Sequence, residues 1–195
     1  DQLSNSAGIT FPDLQVTVSA GNNGFVYTSP ALMEGLTGVV SYQPQGGNTE
    51  SATGYGVNYS GVEGLTLNYA TTDIDGSTAA TRGDNSAMKA SYAYGPVTVT
   101  YSQSENDLGS TGIDNESTSY AISYTVSDEL SVTYGSETHE QSNKTVDAEI
   151  DAISFAYTAG GMTLSGSMKD GENLDYSTNS AADVEQWTLG ASFAF

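Results

Sequence analysis

Cysteine is absent from the 195 residues, which excludes disulfide frameworks and thiolate metal sites. Basic residues are almost as scarce: Arg82, Lys89, Lys144 and Lys169 stand against 24 acidic side chains, for a formal net charge of -20. That balance excludes nucleic acid as a partner, because phosphate binding needs a basic footprint. It equally excludes docking on an anionic membrane face by charge alone. With one histidine, His139, a hydrolase triad or an imidazole metal cluster has little to build on, so no catalytic residue is expected. No apolar run approaches the roughly 18–20 residues of a transmembrane helix. Asp1 to Ser6 has neither the basic nor the apolar stretch of a signal peptide, so the chain reads as mature, truncated or both. Low hydrophobicity with high net charge is a signature of disorder; the patterning of the chain argues against it.

What the chain has in abundance is glycine (22), tyrosine (13), serine and threonine, set out with a period of two. Trp187, Leu189, Ala191, Phe193 and Phe195 fall on one face of the last segment, and Gln186, Thr188, Gly190, Ser192 and Ala194 on the other. Leu130, Val132 and Tyr134 likewise oppose Ser131, Thr133 and Gly135; Leu65, Leu67 and Tyr69 oppose Thr66 and Asn68. Carried back to Phe25, the alternation predicts about eleven strands. Short turns are expected at Ser60 to Glu63, Gly95-Pro96, Ser127 to Glu129 and Ala159 to Gly161. Between them lie longer acidic loops, near Asp73 to Asp84, Glu105 to Glu116, Glu137 to Asp147 and Asp170 to Asp183. Short turns at one end and long loops at the other predict an all-β, antiparallel, up-and-down transmembrane barrel, not a Greek-key sandwich.

Alternation alone would also fit a soluble sheet on a dry core. Three features turn the apolar face towards lipid. The polar face is small and uncharged, as a wetted lumen wall tolerates, whereas a soluble sheet's outer face carries Lys and Glu. Aromatic residues gather towards strand ends: Tyr59, Tyr94 and Tyr124 by the short turns, and Tyr42, Tyr69, Tyr101 and Trp187 nearer the long loops. Amphipathic rings at the two headgroup levels form such girdles, which Phe193 and Phe195 would extend. The chain also runs to Phe195 in the strand's own register. In hydrocarbon every backbone polar group must be paired, so a sheet crosses lipid only as a closed cylinder.

The segments Trp187-Thr-Leu-Gly-Ala-Ser-Phe-Ala-Phe195 and Tyr27-Thr-Ser-Pro-Ala-Leu-Met-Glu-Gly-Leu36 resemble the general porins, the trimeric, sixteen-stranded diffusion channels of Gram-negative outer membranes. The resemblance implies one barrel domain over residues 1–195, with Asp1 to about Gly24 as the inward pore-constricting loop and the eleven strands as strands six to sixteen. About five N-terminal strands would then precede this chain, in keeping with the even strand numbers of complete bacterial barrels. The arginine cluster of the family's early wall strands has no counterpart here: it lies in that preceding part, or this channel lacks it. The resemblance further implies outer-membrane localisation, a homotrimer, contact with lipid and lipopolysaccharide, and recognition of Phe195 by the barrel-assembly machinery.

The expected function is passive diffusion of ions and small hydrophilic solutes with mild cation preference, because mouth carboxylates concentrate cations. Asp13, then Asp1, are the candidate selectivity carboxylates of the constriction loop; Lys89, Lys169, Asn68, Thr133 and Thr188 are candidate pore-lining residues. Either lysine could instead be a solvated charge near a strand mouth. Asp73-Ile-Asp75-Gly76 has the oxygen spacing of a calcium loop but lacks the later acidic ligand, so Asp73 and Asp75 are weak metal candidates in a solvated loop. No cofactor is expected beyond divalent cations that bridge loop carboxylates to lipopolysaccharide phosphates. Two other functions fit less of the pattern: a complete small barrel acting as adhesin or anchor, and a soluble calcium-binding β-rich surface protein.

Overall fold

The computed structural model of the chain describes residues 24–46, 50–76, 83–107 and 113–194. Eleven antiparallel strands form one sheet in chain order: β1 (Phe25–Thr28), β2 (Leu36–Gln43), β3 (Ser51–Tyr59), β4 (Leu65–Asp75), β5 (Gly83–Tyr94), β6 (Val97–Asp107), β7 (Asp114–Thr125), β8 (Leu130–Gln141), β9 (Ala148–Ala159), β10 (Met162–Glu172) and β11 (Val184–Phe193). Among the described residues every strand pairs only with its chain neighbours, and β1 and β11 are the two edges of the sheet. The expected strand number and the four short turns are all present.

Glycine makes the tight turns possible. Gly64 sits at φ 76°, where a side chain would be strained, and its carbonyl accepts from the Ala93 N–H at 2.8 Å as β4 starts beside β5. A Cβ there would also collide with the Ala93 backbone. Gly160 and Gly161, at φ 59° and 80°, close β9 onto β10 in two residues.

The sequence places the acidic segments in loops; the structure extends the strands through them. Asp73 and Asp75 belong to β4, Asp84 to β5, Glu105 and Asp107 to β6, Asp114 and Glu116 to β7, and Glu137 and Glu140 to β8. The reason is that ladder pairing does not depend on side-chain polarity: a wall strand continues into water once it has left the apolar zone. Asp73 and Asp75 are therefore exposed alternate residues of a strand, not ligands curled around a loop.

Large apolar side chains remain outside. Trp187 is 75% exposed, Leu189 66% and Phe193 59%. Among the described residues the buried apolar set is only Ala148, Ile150, Ala152 and Leu174. A sheet that leaves its greasy face uncovered has no core of the soluble kind; its apolar face needs an apolar solvent.

Candidate functional site

Register divides the sheet into two chemically distinct walls. On one, hydroxyl and amide side chains meet directly across the strands. Asn68 donates to Asn58 at 2.8 Å, Ser123 and Thr133 share a hydrogen bond at 2.9 Å, and Ser167 and Thr188 share one at 2.8 Å. Gln141 donates to Asn115 at 2.8 Å, Ser91 meets Thr100 at 3.2 Å, and Asn106 donates to Asn85. Each pair is in cross-strand register, the arrangement in which side chains stabilise a sheet. Asn68, Thr133 and Thr188 thus share this polar face, with Thr188 exposed and the other two half-buried.

The two lysines differ. Lys89, opposite Asn68 and Ser102, is exposed on the polar face. Lys169, opposite Ala152 and Gln186, shares that face but is 7% exposed, so it is neither an open-water lining charge nor a solvated one. Two more polar groups lie close by. Glu137 and His139, 1% and 2% exposed, approach to 2.7 Å on β8. Their acidic surroundings suggest a loop, yet they continue the odd-numbered series Ser131, Thr133, Gly135 on β8, and that parity is the signal that identifies them. Asp1, Asp13 and Phe195 lie outside the described residues.

The opposite wall is apolar and aromatic. Phe25 packs beside Tyr42, ring centroids 6.2 Å apart, and Tyr101 beside Tyr120 at 5.1 Å. Tyr42, Tyr69, Tyr94, Tyr124, Trp187 and Phe193 are all exposed on it. Along the loop side the rings step from Tyr69 on β4 through Tyr101, Tyr120 and Tyr134 to Trp187, descending in register as the strands proceed. Such a diagonal belt is what tilted strands produce when they cross a flat interface. Tyr134 donates to Asp151 at 2.8 Å, joining the belt to a row of carboxylates beyond it.

That row aligns like charges. Asp84 lies opposite both Asp73 and Asp107, Asp107 opposite Asp114, Glu116 opposite both Glu105 and Glu140, and Asp170 opposite both Asp151 and Glu185. Gln103 offsets one contact by donating to Glu116 at 2.6 Å. Among the described residues, no three carboxylate or imidazole groups converge into a set able to hold a metal ion.

The arrangement is that of a sheet with one hydroxyl-amide side and one exposed apolar, aromatic side. The chain matches the family model described as Gram-negative porin over residues 2–195. A sequence search against curated proteins finds no match. Among solved structures, a porin superposes with a TM-score of 0.66 at 14% identity, covering 87% of this chain and 60% of its own. The outer membrane channel DcaP of Acinetobacter baumannii gives 0.65 at 12% identity, covering 88% and 62%. A trimer form of OmpT, an outer membrane protein of Vibrio cholerae, gives 0.54 at 17% identity, covering 87% and 64%. The chain thus spans less than two thirds of the length of these structures, and the likeness carries the barrel fold. Family match and wall chemistry agree: the chain belongs to the Gram-negative porins and forms part of an outer-membrane β-barrel.

Proposed function

We propose that the complete protein is a channel, not an enzyme, through which ions and small hydrophilic solutes diffuse passively, with a mild preference for cations. The observation that carries this reading is the division of the sheet into a face rich in hydroxyl and amide groups and an exposed apolar face. A closed wall of that kind encloses water and meets lipid. The cation preference rests on the excess of carboxylates, which draw cations to the mouth and repel anions. Reversal potentials across a planar bilayer in a salt gradient test it: a cation-signed potential is expected, and an anion-signed one contradicts it. Asp13 and Asp1 are proposed selectivity carboxylates, so Asp13→Asn is expected to move the reversal potential towards zero. Porin membership displaces the adhesin and soluble calcium-binding readings.

Three partners are part of this reading. A homotrimer is proposed, as OmpT has a trimer form; a monomer mass in mild detergent would contradict it. Phe195 is proposed as the residue read by the assembly machinery, and Phe195→Ala is expected to lower the amount of folded barrel in cells. Divalent cations are proposed to link the outer row of carboxylates to lipopolysaccharide phosphates. The aligned like charges support this, since directly opposed acids repel each other across a ladder. The groups do not converge on one point, so a bound cation needs oxygen ligands from outside the protein. Melting of the barrel in lipopolysaccharide with and without chelator tests the link, and identical melting would remove it.

A further inference from the structure

The hydroxyl-rich face carries one fully buried apolar patch among the described residues, on β9, and a loop lands on it. Elsewhere the water-facing positions are mostly Ser, Thr, Asn and Gly, but at the long-loop end of β9 they are Ala148, Ile150 and Ala152, before Ser154 restores the pattern. An isoleucine on a wetted wall would be out of place; here Ile150 is 1% exposed and Ala148 0%. The cover is Leu174, itself 6% exposed, from the connection between β10 and β11. Its methyl groups also lie over Gly171, where an added Cβ would approach them to 3.1 Å. Tyr176 and Ala182 pack against the same cluster.

The connection, residues 173–183, is built to be held there. Asn173, Asp175 and Tyr176 have φ of 52°, 59° and 56°, a left-handed conformation disfavoured for side-chain-bearing residues and most of all for the tyrosine. Such a backbone persists only where surrounding contacts fix it. The Asn173 N–H donates to Asp183 Oδ1 at 3.0 Å, pinning the two ends together. The short helical turn Ser180–Ala182 is capped by Asn179, which accepts from the Ala181 N–H at 3.1 Å. From the β8–β9 turn the Lys144 ammonium sits 5.8 Å from the centre of the Tyr176 ring, a cation–π contact that clasps the loop from the far side.

The geometry points to the 173–183 connection as an inward strap that narrows the pore on its long-loop side and limits the size of the solutes that pass. This inference rests on the channel reading, and it assigns the size limit to the anchor residue Leu174 and its seat at Ala148, Ile150 and Gly171. The strap docks because the seat is apolar; released, it stands in the water beyond the wall and the lumen beside β9 widens.

The test uses the complete reconstituted protein with Leu174→Asp, which disrupts the anchor, and Ala148→Asp, which disrupts the seat from the wall side. Either carboxylate is solvated once the strap has left, so the barrel is expected to fold; heat-modifiable migration on gels checks this for each variant. Single-channel conductance is expected to rise in both, and liposome swelling is expected to admit larger sugars than the unmodified channel does. Two folded variants with unchanged conductance and unchanged sugar cutoff would overturn the strap. Limited proteolysis separates this from failure of the channel reading. At neutral pH, cleavage within 173–183 is expected only in the variants, whatever the conductance, and equal cleavage of the unmodified protein would overturn the docking itself.

Discussion

Glu137 and His139 show what a barrel wall asks of single residues. They stand two apart on one strand, on the same face, and meet at 2.7 Å where water hardly reaches. Contacts of an ionised group at a buried site are worth more than exposed ones, and the loss of a partner is felt as desolvation of what remains. Glu137→Gln keeps the shape and removes the charge. It is expected to lower the unfolding free energy of the vesicle-embedded barrel by about 1.5–3 kcal/mol in urea titrations; an unshifted midpoint would mean that the backbone ladder alone holds this corner. Strand parity placed Thr133 and Thr188 on the water side from the sequence, because a residue's face follows from position alone once a strand exists. It could not reveal that Lys169 is 7% exposed, since burial depends on tertiary surroundings that parity does not carry. Leu174 shows the same limit: one leucine in an acidic loop carries no period, and its seat is more than twenty residues back along the chain.

At the scale of elements, the short turns were legible because glycine and proline mark three of them and Ser127-Asp128 the fourth, while the long-loop ends of the strands were not. The acidic runs look like loops, yet Asp73, Asp84, Asp107 and Asp114 continue the ladders in register. Hydrogen-bonded pairing sets those ends, and side-chain polarity is a poor guide once strands emerge into water. Opposed like charges destabilise a pair of strands by an amount comparable to the ~0.2–1 kcal/mol that favourable pairs contribute. Asp84→Asn, which relieves two such contacts, is therefore expected to raise the melting temperature in chelator and to lose that advantage in millimolar magnesium. The same advantage in both solutions would contradict cation bridging. The strap carries a pH dependence of its own. Burial, with the charge of Asp147 second, raises the Tyr176 phenol above its ordinary value. The docked strap then holds the proton more tightly than the released one. Docking is fully favoured below the free phenol's range near pH ~10 and is lost as pH rises through the higher value of the docked state. Protease cleavage within 173–183 is expected to climb above about pH 10 in the unmodified protein and to lack that step in Tyr176→Phe. A step of equal size in both would assign it to other groups.

For the whole molecule, the fold was the most legible feature, because alternation repeated over eleven strands leaves few architectures and an aromatic belt selects among them. The diagonal descent of that belt from Tyr69 to Trp187 was not legible, since it needs the cross-strand register as well as the residues. The function of the wall depends on which of its sides meets water. Single cysteines at Thr133 and Thr188 on one face, and at Val132 and Leu189 on the other, introduced into the complete protein in lipid vesicles with any cysteine outside these 195 residues replaced by serine, report this directly through a water-soluble, membrane-impermeant maleimide. The two hydroxyl-face cysteines are predicted to react, and the two apolar-face cysteines to stay unlabelled until detergent is added and a lipophilic maleimide is used. Rapid aqueous labelling at Val132 and Leu189, with Thr133 and Thr188 protected, would contradict the assignment of lumen and lipid faces.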